Sequence, residues 1–306
     1  MIPADRWSRR RPPPLVPGDL VAAVAPAGPP SHDGATGGIA LLESWGLGVR
    51  LMPAALAGHP SGFLAADDDR RLADLEAAFG DDKVAGVFCL RGGYGSQRLL
   101  DRLDMAPLVR HPKAVVGFSD LTALHVALGQ RAGLMTFHGP NLAGDLRRIA
   151  QAGASSLHRA LFGGEPETIV GEPLWPGRVR APLVGGNLTV LSTLCGTPDA
   201  LDADGAILLL EDVGEAPYRL DRALTHLRRA GVLDGVAGLA FGTFADCGGR
   251  PGEATPLDVA AAHAQELDVP AVANLPLGHG PEQRTVLLGA PAELDATAGS
   301  LVQIRE

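Results

Sequence analysis

Apolar and polar positions alternate along the chain in blocks of two kinds. Residues 20–25, 84–90, 114–118, 206–210 and 236–244 are apolar almost without interruption, the pattern of strands buried on both faces. Between them, apolar residues recur every three or four positions over 37–45, 67–79, 99–108, 121–128, 188–194, 219–230 and 256–266, which predicts helices. The clearest is 67–79, where acidic residues open the segment and Leu72, Leu75 and Phe79 share one face. Residues 48–52, 270–273, 285–288 and 301–304 read as shorter strands. Such alternation predicts an α/β fold with largely parallel sheet.

The periodicity fails between 161 and 182, where Gly163, Gly164, Pro166, Gly171, Pro173, Pro176 and Gly177 punctuate the chain. This predicts a crossing between two domains, 15–164 and 183–306, with 165–182 as linker. A hydrophobic fraction of 46% across 306 residues is enough for a core in each.

The net charge of -9 argues against a nucleic-acid partner, which would call for a basic face. No run of about 18 apolar residues is present to span a membrane. Residues 1–14 are basic and proline-rich, without the apolar stretch of a secretory signal, so the expectation is a soluble cytoplasmic protein with a loose N-terminal arm. Cys89, Cys195 and Cys247 are widely spaced, and no His-x-x-x-His pair occurs; neither a disulfide framework nor a zinc site is expected.

Three distant segments carry reactive side chains. Ser119, in Gly117-Phe118-Ser119-Asp120, ends a predicted strand and opens a predicted helix. That is the place of a nucleophile on a sharp turn, with helix N–H groups behind it, and equally the place of an ordinary serine cap. Glu211 directly follows the apolar run 206–210, at a strand end, where it would orient a base, cap the next helix or pair with Arg219 or Arg222. His279 lies between Gly278 and Gly280, in a turn, which argues against a core histidine. His138, in Thr136-Phe137-His138-Gly139-Pro140, is its rival. A hydroxyl, a carboxylate and an imidazole are the parts of a nucleophilic serine site. A fourth segment, Arg91-Gly92-Gly93-Tyr94-Gly95, follows a buried strand and lets backbone N–H groups approach a ligand. It fits an oxyanion donor, an anion-binding turn or a plain tight turn; the Lys-[Ser/Thr] of a P-loop is missing.

Taken together, Val24-Ala25-Pro26-Ala27-Gly28, Arg91-Gly92-Gly93-Tyr94-Gly95-Ser96, Gly117-Phe118-Ser119-Asp120-Leu121-Thr122, Gly185-Gly186-Asn187-Leu188, Leu210-Glu211-Asp212 and Gly278-His279 resemble the LD-carboxypeptidases, a serine peptidase group with muramoyl-tetrapeptide carboxypeptidases and microcin C immunity hydrolases among its members. The resemblance implies an N-terminal parallel-sheet α/β domain bearing the serine and a C-terminal α/β domain with a mixed sheet bearing the other two groups. It implies Ser119 as nucleophile, His279 as general base and Glu211 as the acid orienting it. Backbone N–H groups of Asp120 and Gly93 would form the oxyanion hole, and Arg91 and Gly92 would lie near the substrate. No metal or organic cofactor is implied. The implied partners are a muropeptide, cut to release a C-terminal D-alanine in peptidoglycan recycling, and a second copy in a homodimer. The alternatives are an amidase acting on peptide–nucleotide antibiotics and a non-catalytic module binding an anion at Gly92-Gly93.

Overall fold

The structure is a computed structural model that describes residues 7–144 and 151–305. Its first half contains β1 (Leu20–Val24), α1 (His32–Ser44), β2 (Gly48–Leu51), α2 (Asp68–Gly80), β3 (Val84–Cys89), α3 (Ala106–Arg110), β4 (Ala114–Gly117), α4 (Thr122–Arg131), β5 (Thr136–His138) and α5 (Gln151–Leu161). The second half contains β6 (Thr168–Val170), β7 (Glu172–Trp175), β8 (Arg178–Asn187), α6 (Leu188–Leu194), β9 (Ile207–Val213), α7 (Pro217–Arg229), β10 (Gly238–Ala245), α8 (Pro256–Leu267), β11 (Ala271–Ala273), β12 (Val286–Leu288), β13 (Pro291–Asp295) and β14 (Ser300–Gln303).

Two sheets organise these elements, in the orders β12-β5-β4-β3-β1-β2 and β6-β14-β13-β8-β9-β10-β11-β7. In the first, β5 through β2 run parallel and β12 pairs antiparallel with β5, Val286 opposite His138. In the second, β8, β9, β10 and β11 are parallel, and antiparallel strands flank them on both sides. The expected α/β architecture with a mixed second sheet is therefore present. So is one exchange the sequence pattern did not predict: a strand from the chain's last quarter completes the first sheet.

Local chemistry sets the helix starts. The Asp67 carboxylate accepts from the N–H of Arg70 and caps α2. At α8, Thr255 and Asp258 form a reciprocal capping box, with Pro256 as the first helical residue. The apolar faces then meet in the interior. One buried cluster runs through both halves and joins Leu121, Leu124 and Leu128 to Leu188, Leu191 and Leu194. Between the same two helices, the N–H of Asn187 donates to Thr122 Oγ1 at 2.9 Å.

Four expectations are corrected. The segment 165–182 is no plain linker: it supplies β6, β7 and the start of β8, and Pro173 is tolerated because β7 is an edge strand. From Trp7 onward the arm is not loose. Arg10 exchanges backbone hydrogen bonds with Gly133 and Met135, and the N–H of Leu15 donates to Leu161; residues 1–6 lie outside the described residues. The expected helix 99–108 is reduced to a 3₁₀ turn at Ser96–Leu99 and the short α3. There the Asp104 carboxylate accepts from the Ala106 N–H and starts a new helix, with Pro107 in its first turn. Finally, α1 begins five residues early because Ser31 caps it through the N–H of Gly34.

Candidate active site

Ser119 stands between β4 and α4 with φ of 66°, the left-handed region that a non-glycine residue rarely enters. A conformation of this kind costs about 1–3 kcal/mol and persists only where neighbours enforce it. Those neighbours are visible. The N–H of Phe118 donates to Asn141 Oδ1 at 3.3 Å, and His125 Nε2 donates to the carbonyl of Gly117 at 2.8 Å. The strand end is thus pinned on both sides and the serine is lifted out of the sheet.

The hydroxyl meets a side chain from the other half of the chain. His279 Nε2 lies 3.2 Å from Ser119 Oγ, and His279 Nδ1 lies 2.7 Å from Glu211 Oε2. A carboxylate accepts only, so Nδ1 carries the proton and Nε2 is left to accept from the hydroxyl. His279 is mostly covered, and Glu211 has no exposed surface at all. Burial raises the carboxyl's pKa above its ordinary value, and the bond from His279 counters that rise.

Glycines make this approach possible. Gly278 has φ of 92°, and a Cβ there would sit 2.2 Å from Glu211 Oε2. A Cβ on Gly242 would sit 3.1 Å from Glu211 Cβ and 2.5 Å from the carbonyl oxygen of Leu277. Glu211 itself lies within β9, opposite Asn187 of β8. Its neighbour Asp212 accepts from Asn187 Nδ2 at 3.0 Å and from the N–H and hydroxyl of Thr189 at 2.9 and 2.8 Å. These bonds lock β9 to the start of α6.

The glycine turn after β3 presses against the serine. A Cβ on Gly92 would lie 2.8 Å from Ser119 Cβ and 3.3 Å from the backbone nitrogen of Asp120. The N–H of Gly28 holds the carbonyl of Gly92 at 2.9 Å, and Gly93 follows with φ of 96°. Ser96, beyond the turn, donates its N–H to Asp120 Oδ2 at 2.9 Å and its hydroxyl to the Asp120 carbonyl at 2.7 Å. Arg91 is exposed, and its guanidinium donates to the Pro29 carbonyl at 2.8 Å.

His138 is not brought to the serine. It is wholly buried in β5, and the Phe118 ring contacts it at 5.9 Å while contacting His279 at 4.7 Å. Neither of its ring nitrogens has a hydrogen-bond partner among the described residues, and burial pushes its pKa down to about 3. It is a neutral packing residue beside the site. Arg71 does not stand out in the sequence pattern. It sits one turn before Leu75 on the inward face of α2 and is fully buried, and that spacing was the available signal. Among the described residues no group of three or more His, Cys, Asp or Glu side chains is arranged to hold a metal ion.

The two halves of this arrangement match one family. Residues 21–139 match the LD-carboxypeptidase N-terminal domain and residues 180–294 match the LD-carboxypeptidase C-terminal domain. The chain belongs to the LD-carboxypeptidase family. A putative carboxypeptidase of Streptomyces coelicolor is 44% identical over 95% of this chain and 95% of its own length. Among solved structures, the muramoyltetrapeptide carboxypeptidase of Oxalobacter formigenes aligns with a TM-score of 0.83 at 29% identity, covering 93% of this chain and 97% of that one. The microcin C7 self immunity protein MccF aligns with a TM-score of 0.87 at 19% identity, covering 96% and 98%, a likeness of fold. Membership of the LD-carboxypeptidase family makes this chain a peptidase-type hydrolase with a carboxypeptidase role. No helix among the described residues is long and apolar enough to cross a membrane.

Proposed function

We propose that this LD-carboxypeptidase family member is a serine carboxypeptidase that cuts the bond between an L-residue and a C-terminal D-amino acid of a murein tetrapeptide. The observation that carries the reading is His279 spanning Ser119 Oγ and Glu211 Oε2 at 3.2 and 2.7 Å. His279 Nε2 takes the hydroxyl proton as Ser119 attacks the carbonyl. Glu211, ionised and buried, holds the imidazole in the required tautomer and stabilises its cation. The N–H groups of Asp120 and Gly93 receive the developing oxyanion, an interaction whose loss typically costs ~10²–10³ in rate. His279 then protonates the leaving amine, and water releases the acyl group by the reverse route. Gly92 supplies the close approach that brings the turn to the serine, and Arg91 lies at its rim as a cation for the free carboxylate of the leaving residue. The same reading carries a cytoplasmic homodimer, which light scattering of the purified protein and fractionation of cells would check.

Support for the substrate class comes from the family and from the 29% identical muramoyltetrapeptide carboxypeptidase. The test is mass spectrometry of a muropeptide mixture treated with the purified protein. Loss of one D-alanine from tetrapeptides, absent with Ser119→Ala, is the expected result. Cleavage of an aminoacyl sulfamoyl nucleotide with muropeptides untouched would replace the substrate and keep the serine chemistry.

A further inference from the structure

Arg71 has no exposed surface, and a buried guanidinium is costly unless its donors are satisfied. Here they are satisfied by backbone carbonyls from three separate loops. Nε donates to Ala66 at 3.1 Å, and Nη1 donates to Gly95 at 2.9 Å and also to Pro26. Nη2 donates to Asp68 Oδ1 at 2.5 Å, and Asp68 in turn receives Arg98 at 2.7 Å. The carbonyls of Pro26, Ala66 and Gly95 carry partial negative charge of like sign, and the guanidinium at their centre offsets that repulsion and draws them together.

Two of those loops are the supports of the turn that faces Ser119. Pro26 lies two residues before Gly28, whose N–H holds the Gly92 carbonyl at 2.9 Å. Gly95 closes the same turn with φ of 128°, and a Cβ there would strike Leu64 at 2.6 Å and Arg71 Nη1 at 2.9 Å. The next residue, Ser96, is bonded to Asp120. The guanidinium therefore holds the Gly92–Gly95 turn directly at Gly95 and braces its Gly92 end through Pro26 and the Gly28 N–H, and the turn carries or braces the two N–H groups assigned above to the oxyanion.

We infer that Arg71 is a positioning residue for the oxyanion hole: through Pro26, Gly95 and Asp68 it sets the distance between the Gly92–Gly93 backbone and Ser119. It touches no substrate. This inference rests on the serine reading under Proposed function. Arg71 stabilises the transition state by fixing donors in place before the reaction, and substrate binding owes it little.

The experiment compares wild type with Arg71→Lys, Arg71→Met and Asp68→Asn, each checked for folding by circular dichroism. Two rates are read: peptide hydrolysis, and labelling of Ser119 by a fluorophosphonate probe, which also places negative charge in the oxyanion hole but needs no peptide recognition. In the Arg71 variants we expect kcat and labelling each to fall by about 10²-fold, on the scale of one lost oxyanion donor, with KM within about twofold. Lysine should retain more activity than methionine, because a cation remains among the three carbonyls. Asp68→Asn, at the exposed end of the network, should lower both rates several-fold and serves alone if the Arg71 variants do not fold. Unchanged rates in a folded variant, or a loss confined to KM, would overturn the inference. Wild type that labels normally while the variants do too rejects Arg71 alone; wild type that neither labels nor hydrolyses rejects the serine reading itself.

Discussion

His279 Nδ1 and Glu211 Oε2 meet at 2.7 Å only because residue 278 has no side chain: a Cβ on Gly278 would lie 2.2 Å from that same oxygen. The contact is therefore a property of backbone shape as much as of the two side chains. Gly278→Ala should displace Glu211 or the histidine turn by about 1 Å and cost at least ~10²-fold in kcat. Gly18→Ala is the control, since Gly18 has φ of 98° with no atom of the described residues within 4 Å of its Cβ position. It should lower stability by about 1 kcal/mol and leave kcat unchanged. Equal kcat in both variants would contradict this.

Glu211 has its pKa raised by burial, with the His279 bond opposing. A carboxyl with a raised native pKa contributes stability below the unfolded pKa, and that contribution is lost as pH rises through the native value. The ionised form of the group is thus held at a cost. Glu211→Gln should lose about 10³–10⁴ in kcat and yet resist urea better than wild type at pH 7, the gap narrowing toward pH 4. A less stable variant at neutral pH would refute the sign.

Ser119 separates hydroxyl chemistry from backbone strain. Ser119→Ala and Ser119→Gly should both lose nearly all turnover. The glycine variant relieves φ of 66° and should be more stable than the alanine one by about 1 kcal/mol. Calorimetry of the pair checks it, and equal melting would mean the turn stores no strain.

Two buried histidines shape the acid limb. Burial, first among the causes, pushes His125 to about 4 and His138 to about 3. Below an unfolded pKa of about 6.5 the unfolded chain takes up protons that the native chain refuses, so stability falls as pH drops from about 6.5 toward those values, by about 1.4 kcal/mol per pH unit for each histidine. His138→Leu should flatten that slope by one proton in denaturation curves taken between pH 4 and 6.5.

The strands leading to the reactive residues were legible because each is buried on both faces and therefore apolar throughout: Ala114–Gly117 before Ser119, and Ile207–Leu210 before Glu211. Contacts of high sequence separation were not. Nothing local marks the three-residue β5 as a strand, since its stability comes from β4 on one side and β12 on the other. The edge strands between 165 and 182 hide behind Pro166, Pro173 and Pro176, residues that sheet edges accept and sheet interiors refuse. Arg71 was masked by its charge, because a charged residue at a helix position ordinarily means a solvated face.

The strand Val286–Leu288 lies seven residues after His279 and pairs with β5, which would otherwise be the outermost strand on that side of the first sheet. A nascent chain that has left the ribosome only through residue 164 holds a serine without the base proposed for it and a β5 without its outer partner. Both deficits end together, when the last quarter of the polypeptide folds back. Truncated translation products should consequently be inert on the serine reading, with hydrolytic competence arriving as one late step of maturation.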